Sequence, residues 1–512
     1  MRVLFINKIL DRDSVGRMPL GCLYLSSSLK QSGHEVKLVD ACDYGRVKRC
    51  IKKYHPEALL FSTRTGFHHY YRALNKRLKD EFGNLYSVFG GPHATFSPEI
   101  INEDGIDAIC RGEGEGALAD FLHKKEKEED YRKTENFWVK EDGEIYRNGV
   151  RPLIDAIDAV LFPDRDLLKE YKSVRHFRIR NFIASRGCPY SCSYCFNEPY
   201  FSIYENKGRR LRRRGVDNVL EEIEEERRKS PFDIVQFEDD IFGSSTDWLI
   251  EFQQQYPQRV GLPFICNMRP ELITAETAAL LKAAGCISVW VGIESKNEEI
   301  RKKILNRNIT DRQIDAAVGH LARHEINYVF EIMIGLPAST IHNDLESLEF
   351  CMKWKPAYVD SSIYQPYPGT ALSAMALGTR EWDGDYEKIG DFHETTCLAL
   401  TSKKEIENLQ ALFYCIVRYS FLKKCMFVLI KLPLKNMYRF IHVLLKGLVF
   451  STKITPMKIN RYYFPYVYRT LFRRGTQKLG TLHTSLSQKT TPEKACNPAV
   501  PTDRRIGRGL LI

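Results

Sequence analysis

At 512 residues the chain is longer than one hydrophobic core serves, so two to four domains are expected. Hydrophobic residues at 43% and charged residues at 28% exclude a disordered or fibrous protein. The net charge of +11 raises nucleic acid or an anionic membrane as partners. The excess, however, gathers between Lys207 and Arg214 and after residue 400. The first of these basic runs reads equally as a solvated loop or as a patch steering an anionic substrate or an acidic electron donor.

The chain opens Met1-Arg-Val-Leu-Phe-Ile6, a short apolar run followed at once by Asn7 and Lys8. That is a strand rather than a secretory leader, so a cytoplasmic protein is expected. Residues 1–140 alternate apolar runs with amphipathic stretches, the pattern of a doubly wound α/β sheet. Strands are predicted over 3–6, 35–39, 58–62, 87–91 and 108–110, and helices over 20–31 and 68–81. Gly90-Gly-Pro-His93 closes one strand, where glycines would let a ligand approach the carboxyl edge of the sheet.

Residues 141–175, with Gly143, Gly149, Pro152 and Pro163, read as a connector packing on both neighbours. Next comes Ser185-Arg-Gly-Cys188, with further thiols at Cys192 and Cys195. This Cys-x3-Cys-x2-Cys spacing can hold three irons of a four-iron cluster and leave the fourth without a protein ligand. Structural zinc wants a fourth ligand, as does a ferredoxin cluster, and the next cysteine is the distant Cys266. A disulfide fits less well, because most other cysteines sit in apolar stretches, as free thiols of a reducing compartment do.

Over 176–384 six more strands are predicted, at 182–185, 234–237, 263–268, 287–292, 328–334 and 358–364. The clearest helices between them cover 216–228 and 274–284. Six such units suit an open relative of the β/α barrel, whose sites collect at the carboxyl ends of strands. Those ends are polar here: Glu238-Asp-Asp240, Asn267-Met-Arg269, Glu294-Ser295 and Gly335-Leu-Pro337. Helix capping accounts for any single Asp or Ser at such a position, but a ring of them around a thiol loop favours a site.

Residues 385–475 change to helices rich in Leu, Phe, Tyr and Val, interrupted by Lys and Arg. No apolar stretch reaches the roughly 20 residues that span a bilayer. A helical cap on the barrel is the first reading, and peripheral contact with the inner membrane face is the second. From 476 the chain is polar, rich in Thr, Ser and Pro, and expected to be disordered.

The thiol loop resembles that of the radical S-adenosylmethionine enzymes, whose Cys-x3-Cys-x-aromatic-Cys motif holds a [4Fe-4S] cluster. The resemblance places Tyr194 near the adenine, Glu238, Asp239 and Asp240 toward the amino group, and Arg269 toward the carboxylate. It gives Glu294 and Ser295 to other polar groups of S-adenosylmethionine and lets Gly335 admit the adenine. The first 140 residues resemble the cobalamin-binding domain of one subfamily, through Pro19-Leu-Gly21, Gly33-His-Glu-Val36, Gly90-Gly-Pro-His93 and Arg111-Gly-Glu-Gly-Glu115. Gly90, Gly91 and His93 are its candidate cofactor contacts. An Asp-x-His-x-x-Gly signature is missing, so no lower ligand to cobalt is identified.

The resemblance implies a Rossmann-like domain, a partial (β/α)6 barrel and a helical C-terminal region. It further implies reductive cleavage of S-adenosylmethionine to a 5′-deoxyadenosyl radical and methylation of an unactivated carbon, or of phosphorus. The acceptor would be a small molecule, a natural product, a lipid or a pigment. A flavodoxin or ferredoxin would supply electrons, and no nucleic-acid partner is expected. Cyclisation, oxidation or ring rearrangement without methyl transfer is the first rival, and a non-catalytic cobalamin or iron-sulfur sensor is the second.

Overall fold

The computed structural model describes residues 1–9, 18–83 and 85–456. The polar segment expected from 476 lies outside the described residues. The first sheet contains β1 (Arg2–Asn7), β2 (Glu35–Asp40), β3 (Ala58–Ser62), β4 (Tyr86–Gly90), β5 (Ala108–Cys110), β6 (Phe137–Glu141) and β7 (Glu144–Arg147). Their order is β2-β1-β3-β4-β5-β6-β7, and β1 to β5 are parallel.

Successive side chains of a strand point to opposite faces, and β1 shows the consequence. Val3 and Phe5 pack with the helices Leu20–Gln31 and Glu115–Glu126, while Leu4 and Ile6 pack with Tyr44–Tyr54 and His68–Phe82. Both faces are covered, which is why the strands read as continuous apolar runs. Strand order reverses between β1 and β3, so the chain diverges there and leaves a crevice at the carboxyl edge.

Sequence periodicity missed β6 and β7, an antiparallel hairpin on the far edge that carries the sheet into the predicted connector. Both strands are short and half-exposed, so their apolar signal is weak. The turn between them was legible: Asp142 and Gly143 take φ of 51° and 81°, the left-handed pair that favours Asp-Gly in a tight hairpin. The connector beyond packs on both neighbours. Asp164 accepts from Ser26 Oγ at 2.6 Å and pairs with Lys30 at 2.6 Å, while Arg165 pairs with Glu222 of the second layer at 2.7 Å.

Six parallel strands form the second sheet: β8 (Ile179–Phe182), β11 (Ile234–Phe237), β12 (Phe264–Met268), β13 (Cys286–Glu294), β14 (Asn327–Ile334) and β15 (Tyr358–Ile363). They lie side by side in chain order, an open half-barrel. The first strand ends at Phe182, earlier than the predicted 182–185. The chain leaves the sheet because Asp239 captures the Ala184 N–H at 3.0 Å and the Ser185 hydroxyl. Ser185–Arg186 then forms β9, paired antiparallel with Arg212–Arg213, β10.

The open edge beside β15 is closed by the helix Lys403–Arg418, whose Leu409, Phe413 and Ile416 are fully buried. Each such side chain contributes about 1.5–3 kcal/mol by leaving water. This closure explains Gly335, which has φ 64°; a Cβ there would lie 3.1 Å from Ile406 and 3.3 Å from Leu400. The crowding at that strand end comes from the C-terminal helix and the chain just before it.

The Gly335 N–H meets both carboxylate oxygens of buried Asp344, at 3.3 and 3.2 Å, and burial pushes the Asp344 carboxyl up to about 8. A carboxyl raised above its unfolded value of about 3.9 stabilises the fold fully below that value and loses the contribution as pH rises toward the folded one. Asp344→Asn keeps an acceptor and removes the titration. Urea denaturation from about pH 4 to pH 8 should therefore show native stability declining relative to the variant; parallel profiles would mean Asp344 is not the group responsible.

Candidate active site

The thiol loop leaves β9 through Gly187, at φ 83°, where a Cβ would lie 2.0 Å from the Arg210 carbonyl oxygen, so glycine is required. Cys188 and Cys192 are buried and Cys195 is half-buried, all as free thiols. Arg269 Nη1 donates to Cys192 Sγ at 3.2 Å and Asn197 Nδ2 to Cys195 Sγ at 3.4 Å. Burial raises the Cys188 thiol and pushes Cys195 up to about 11. Thiols so placed give up their protons to a metal that replaces them.

Backbone anchors hold the loop in place. Ser193 N–H donates to Leu305 O at 3.0 Å, Ser193 Oγ to Ile304 O at 2.6 Å, and Asn306 Nδ2 to Ser191 O at 2.7 Å. Tyr194, half-buried and held well above its ordinary pKa by desolvation, donates to Glu294 Oε1 at 2.9 Å and accepts from Arg307 Nη1 at 3.0 Å. Glu294 reaches this position because β13 bulges between Gly292 and Glu294, which sits at φ 66°. A side chain at Gly292 would collide with Glu294 Oε1, 2.9 Å from its Cβ, and press on Arg307, 3.1 Å away.

The other expected contacts divide. Asp240 is exposed and bonds the same Asn197 amide that touches Cys195, at 3.2 Å. Arg269 lies 3.6 Å over the Tyr190 ring and pairs with Glu271 at 2.6 Å, against the thiol loop. Asp239 faces inward instead. It is 1% exposed, its carboxyl is pushed up to about 7 by burial, and both oxygens are spent on Ala184 and Ser185. Glu238 accepts from Asn181 at 2.5 Å. Buried Ser295 takes the Asn297 N–H on its hydroxyl, at 3.3 Å, so it shapes a turn. Arg307 and Asn197 were missed because isolated Arg and Asn residues carry no periodic or spacing signal.

In the first domain, Gly91 has φ 84° and its Cβ would meet the Thr63 carbonyl oxygen at 2.8 Å, so the backbone there requires glycine. Gly90 is extended at φ −136°, with no contact closer than 3.8 Å to a built Cβ. His93 is 4% exposed, stacked on His68 with ring centroids 3.8 Å apart, and bonded to Thr65 at 3.0 Å. Burial lowers its pKa to about 3, so it stays neutral. Among the described residues, His68, His69 and Glu387 bring ligand atoms within 4.8 Å of one another, and the three loop thiols form no such convergent group. Arg72 occupies both Glu387 oxygens, at 3.1 and 3.3 Å, and His68 bonds one of them at 3.0 Å, so Glu387 clamps the loop after the barrel to the first domain.

The Arg111-Gly-Glu-Gly-Glu115 run performs a second clamp. Glu113 accepts from Arg212 Nη1 at 2.8 and 3.0 Å and from Arg186 at 3.2 Å, while Glu115 pairs with Arg186 at 2.6 Å. The Tyr204 hydroxyl accepts the Glu113 N–H at 2.8 Å and would lie 1.9 Å from a Cβ on Gly112. The remaining basic residues are likewise committed. Arg209 pairs with Asp155, Arg210 with Glu198 and Arg214 with Glu222, and Arg213 donates to Ser244. The run therefore divides: Arg209 and Arg210 are exposed, as a solvated loop would have them, while buried Arg212 and Arg214 form a structural seam, because the β9-β10 ribbon passes between carboxylates of both layers. Phe96, beyond β4, stacks on Phe196 of the thiol loop with centroids 4.6 Å apart, so the crevice edge of the first sheet abuts that loop.

Three thiols with N–H donors on two of them, at the mouth of a parallel half-barrel, suit an iron-sulfur cluster. The abutting crevice edge suits a flat cofactor between the layers. Comparison with known proteins defines the class. The B12 binding domain matches residues 17–122 and the Radical SAM superfamily matches 182–351. An uncharacterized methyltransferase of Pyrococcus horikoshii is 28% identical over 70% of this chain and 78% of its own. The anaerobic magnesium-protoporphyrin IX monomethyl ester cyclase of Synechocystis is 24% identical over 73% and 77%. The solved cobalamin-dependent S-adenosylmethionine radical enzyme OxsB shares the fold, with a TM-score of 0.65 at 18% identity over 91% of this chain and 75% of that one. The chain belongs to the radical S-adenosylmethionine enzymes that carry a B12 binding domain. Its cofactors are a [4Fe-4S] cluster, S-adenosylmethionine and cobalamin.

The seam makes a testable demand. Glu113→Ala leaves buried Arg212 without its carboxylate, and breaking such a pair costs about 3–5 kcal/mol. Arg209→Ala removes an exposed pair with Asp155 and should cost less than about 1 kcal/mol. Chemical denaturation of the two variants should separate by at least the difference; equal midpoints would show that the seam does not hold the layers.

Proposed function

We propose that Cys188, Cys192 and Cys195 bind the cluster and that the enzyme transfers a methyl group to an unactivated carbon or phosphorus of a natural product, lipid or pigment. The observation that carries the reading is the contact of the thiol loop with the crevice edge of the B12 domain, through Phe196 on Phe96. It brings two cofactor-bearing edges together, as transfer between them requires. When bound, the cofactors supply a carbon-centred radical and a methyl group.

The chain's own residues position and exclude. Arg269 and Asn197 direct N–H donors at two of the sulfurs, which lowers the cost of negative charge there. Tyr194, Glu294 and Arg307 lock the loop to the end of β13. Asp240 and Arg269 are the best placed of the candidate groups for the amino acid end of S-adenosylmethionine. Aromatic side chains at Phe96, Phe196 and Tyr367 keep water from the contact between layers, Tyr367 lying 5.0 Å from Phe196. A flavodoxin or ferredoxin would supply the electron.

The cyclase relative keeps one rival in view, radical conversion without methyl transfer. Anaerobic reconstitution with dithionite should release 5′-deoxyadenosine, and the product should gain about 14 mass units, one methylene. Cys188→Ala, Cys192→Ala or Cys195→Ala should each abolish the iron-sulfur absorption and lower turnover at least about 1,000-fold, roughly 4 kcal/mol of activation. Conversion without mass gain would select the rival reaction. Full turnover in any one of the alanine variants would remove these thiols from the site.

A further inference from the structure

The helix Lys435–Val449 is amphipathic in an unusual sense. Its inner face is fixed: Tyr438 and Val449 are buried, and Lys446 reaches Asp360 of β15 at 3.4 Å. Its outer face carries Met437, Phe440, Leu444 and Leu448, a stripe at intervals of three, four and four residues, and all four are exposed. The preceding turns add Phe421, Phe427 and Val428, which are 67%, 54% and 63% exposed. Scattered apolar residues on a surface are ordinary, but a run of this size confined to one segment marks a contact.

The charge of the same segment identifies its partner. No Asp or Glu occurs between Glu407 and Glu493. Lys423, Lys435 and Arg439 pair with Glu349, Glu407 and Glu394, while Lys424 and Lys431 interleave with the exposed apolar residues. A second copy of the chain would set like charges against one another. Residues 457–474, with Lys458, Arg461, Arg469 and Arg473, carry the same sign and are no complement either. A nucleic acid would match the charge but leave the aliphatic stripe in water. A bilayer with anionic headgroups satisfies both features, the stripe entering the acyl boundary while Lys424 and Lys431 meet phosphate.

We propose that residues 419–449 form a peripheral docking face for an anionic phospholipid membrane. No helix among the described residues is long and apolar enough to cross one, so the segment lies on the surface. Docking stands apart from the radical chemistry, and its test needs no turnover.

The full-length holoenzyme, handled without oxygen, is mixed with vesicles of phosphatidylcholine alone or with about one-third phosphatidylglycerol, and the bound fraction is read by flotation. Binding should be at least about tenfold stronger to the anionic vesicles and should weaken as salt rises from about 0.1 to 0.5 M. The combined variant Phe421→Glu, Phe427→Glu, Leu444→Glu should lose binding, with its melting temperature and far-ultraviolet circular dichroism unchanged. Should that variant misfold, Lys424→Glu with Lys431→Glu provides the independent arm and should weaken anionic binding alone. Equal affinity for both vesicle types, or none for either, would overturn the proposal. So would a dimer in light scattering that the apolar variant dissolves, which would give the face to a second copy. Hydrogen-exchange protection of residues 421–448 without lipid, lost when 457–512 are removed, would give it to the chain's own C-terminal segment.

Discussion

The contact on which the molecule depends is the ion cluster of Glu113, Arg186, Arg212 and Glu115. Arg186 is the second residue of β9 and stands two positions before Cys188, while Arg212 begins the strand that pairs with it. Glu113 belongs to the loop after β5 in the other layer, and Glu115 opens the helix Glu115–Glu126 that follows. One cluster therefore fixes the separation of the two sheets and the starting point of the thiol loop. A buried ion pair adds little net stability, since desolvation offsets most of the attraction, but it penalises any other arrangement heavily. That asymmetry suits an enzyme in which a B12 binding domain and a radical S-adenosylmethionine domain must keep one arrangement.

The same device recurs beneath the site. Arg165 and Arg214 share Glu222, fully buried Arg180 holds Glu226, and fully buried Arg301 gathers the carbonyls of Ser295, Lys296 and Ile309. Each guanidinium offers several donors in a rigid plane, so one residue satisfies several buried acceptors at once. The positive charge of the barrel half is to this extent internal scaffolding. Asp239, at the end of β11, belongs with them: its carboxylate ties down the turn from β8 into β9.

The C-terminal helices serve two ends. Lys403–Arg418 seals the open edge of the half-barrel, and its pressure on Gly335 and Asp344 carries that closure into the fifth strand end. Lys435–Val449 packs over it and turns an apolar stripe outward. The periodicity of both segments is equally helical, and only the neighbours distinguish a sealing helix from a surface one.

The sequence by itself determined the two-layer α/β organisation, because strands covered on both faces must be apolar throughout and read plainly. It made the thiol loop legible as well, since the Cys-x3-Cys-x2-Cys spacing is one that no packing role imitates. Local signals stop there. Arg307, Asn197 and Glu113 act through partners 113, 2 and 99 positions away, and Gly335 is glycine on account of a helix some seventy residues further on. Asp239, Ser295 and the buried arginines Arg212 and Arg214 have the residue types of a binding site and also make structural contacts, because a carboxylate or guanidinium shows its partners only through what it faces. Tertiary structure decided those roles: burial and charge pairing depend on distance in space, and apart from Asn197, a near neighbour of its thiol, the chain does not write that distance into its order.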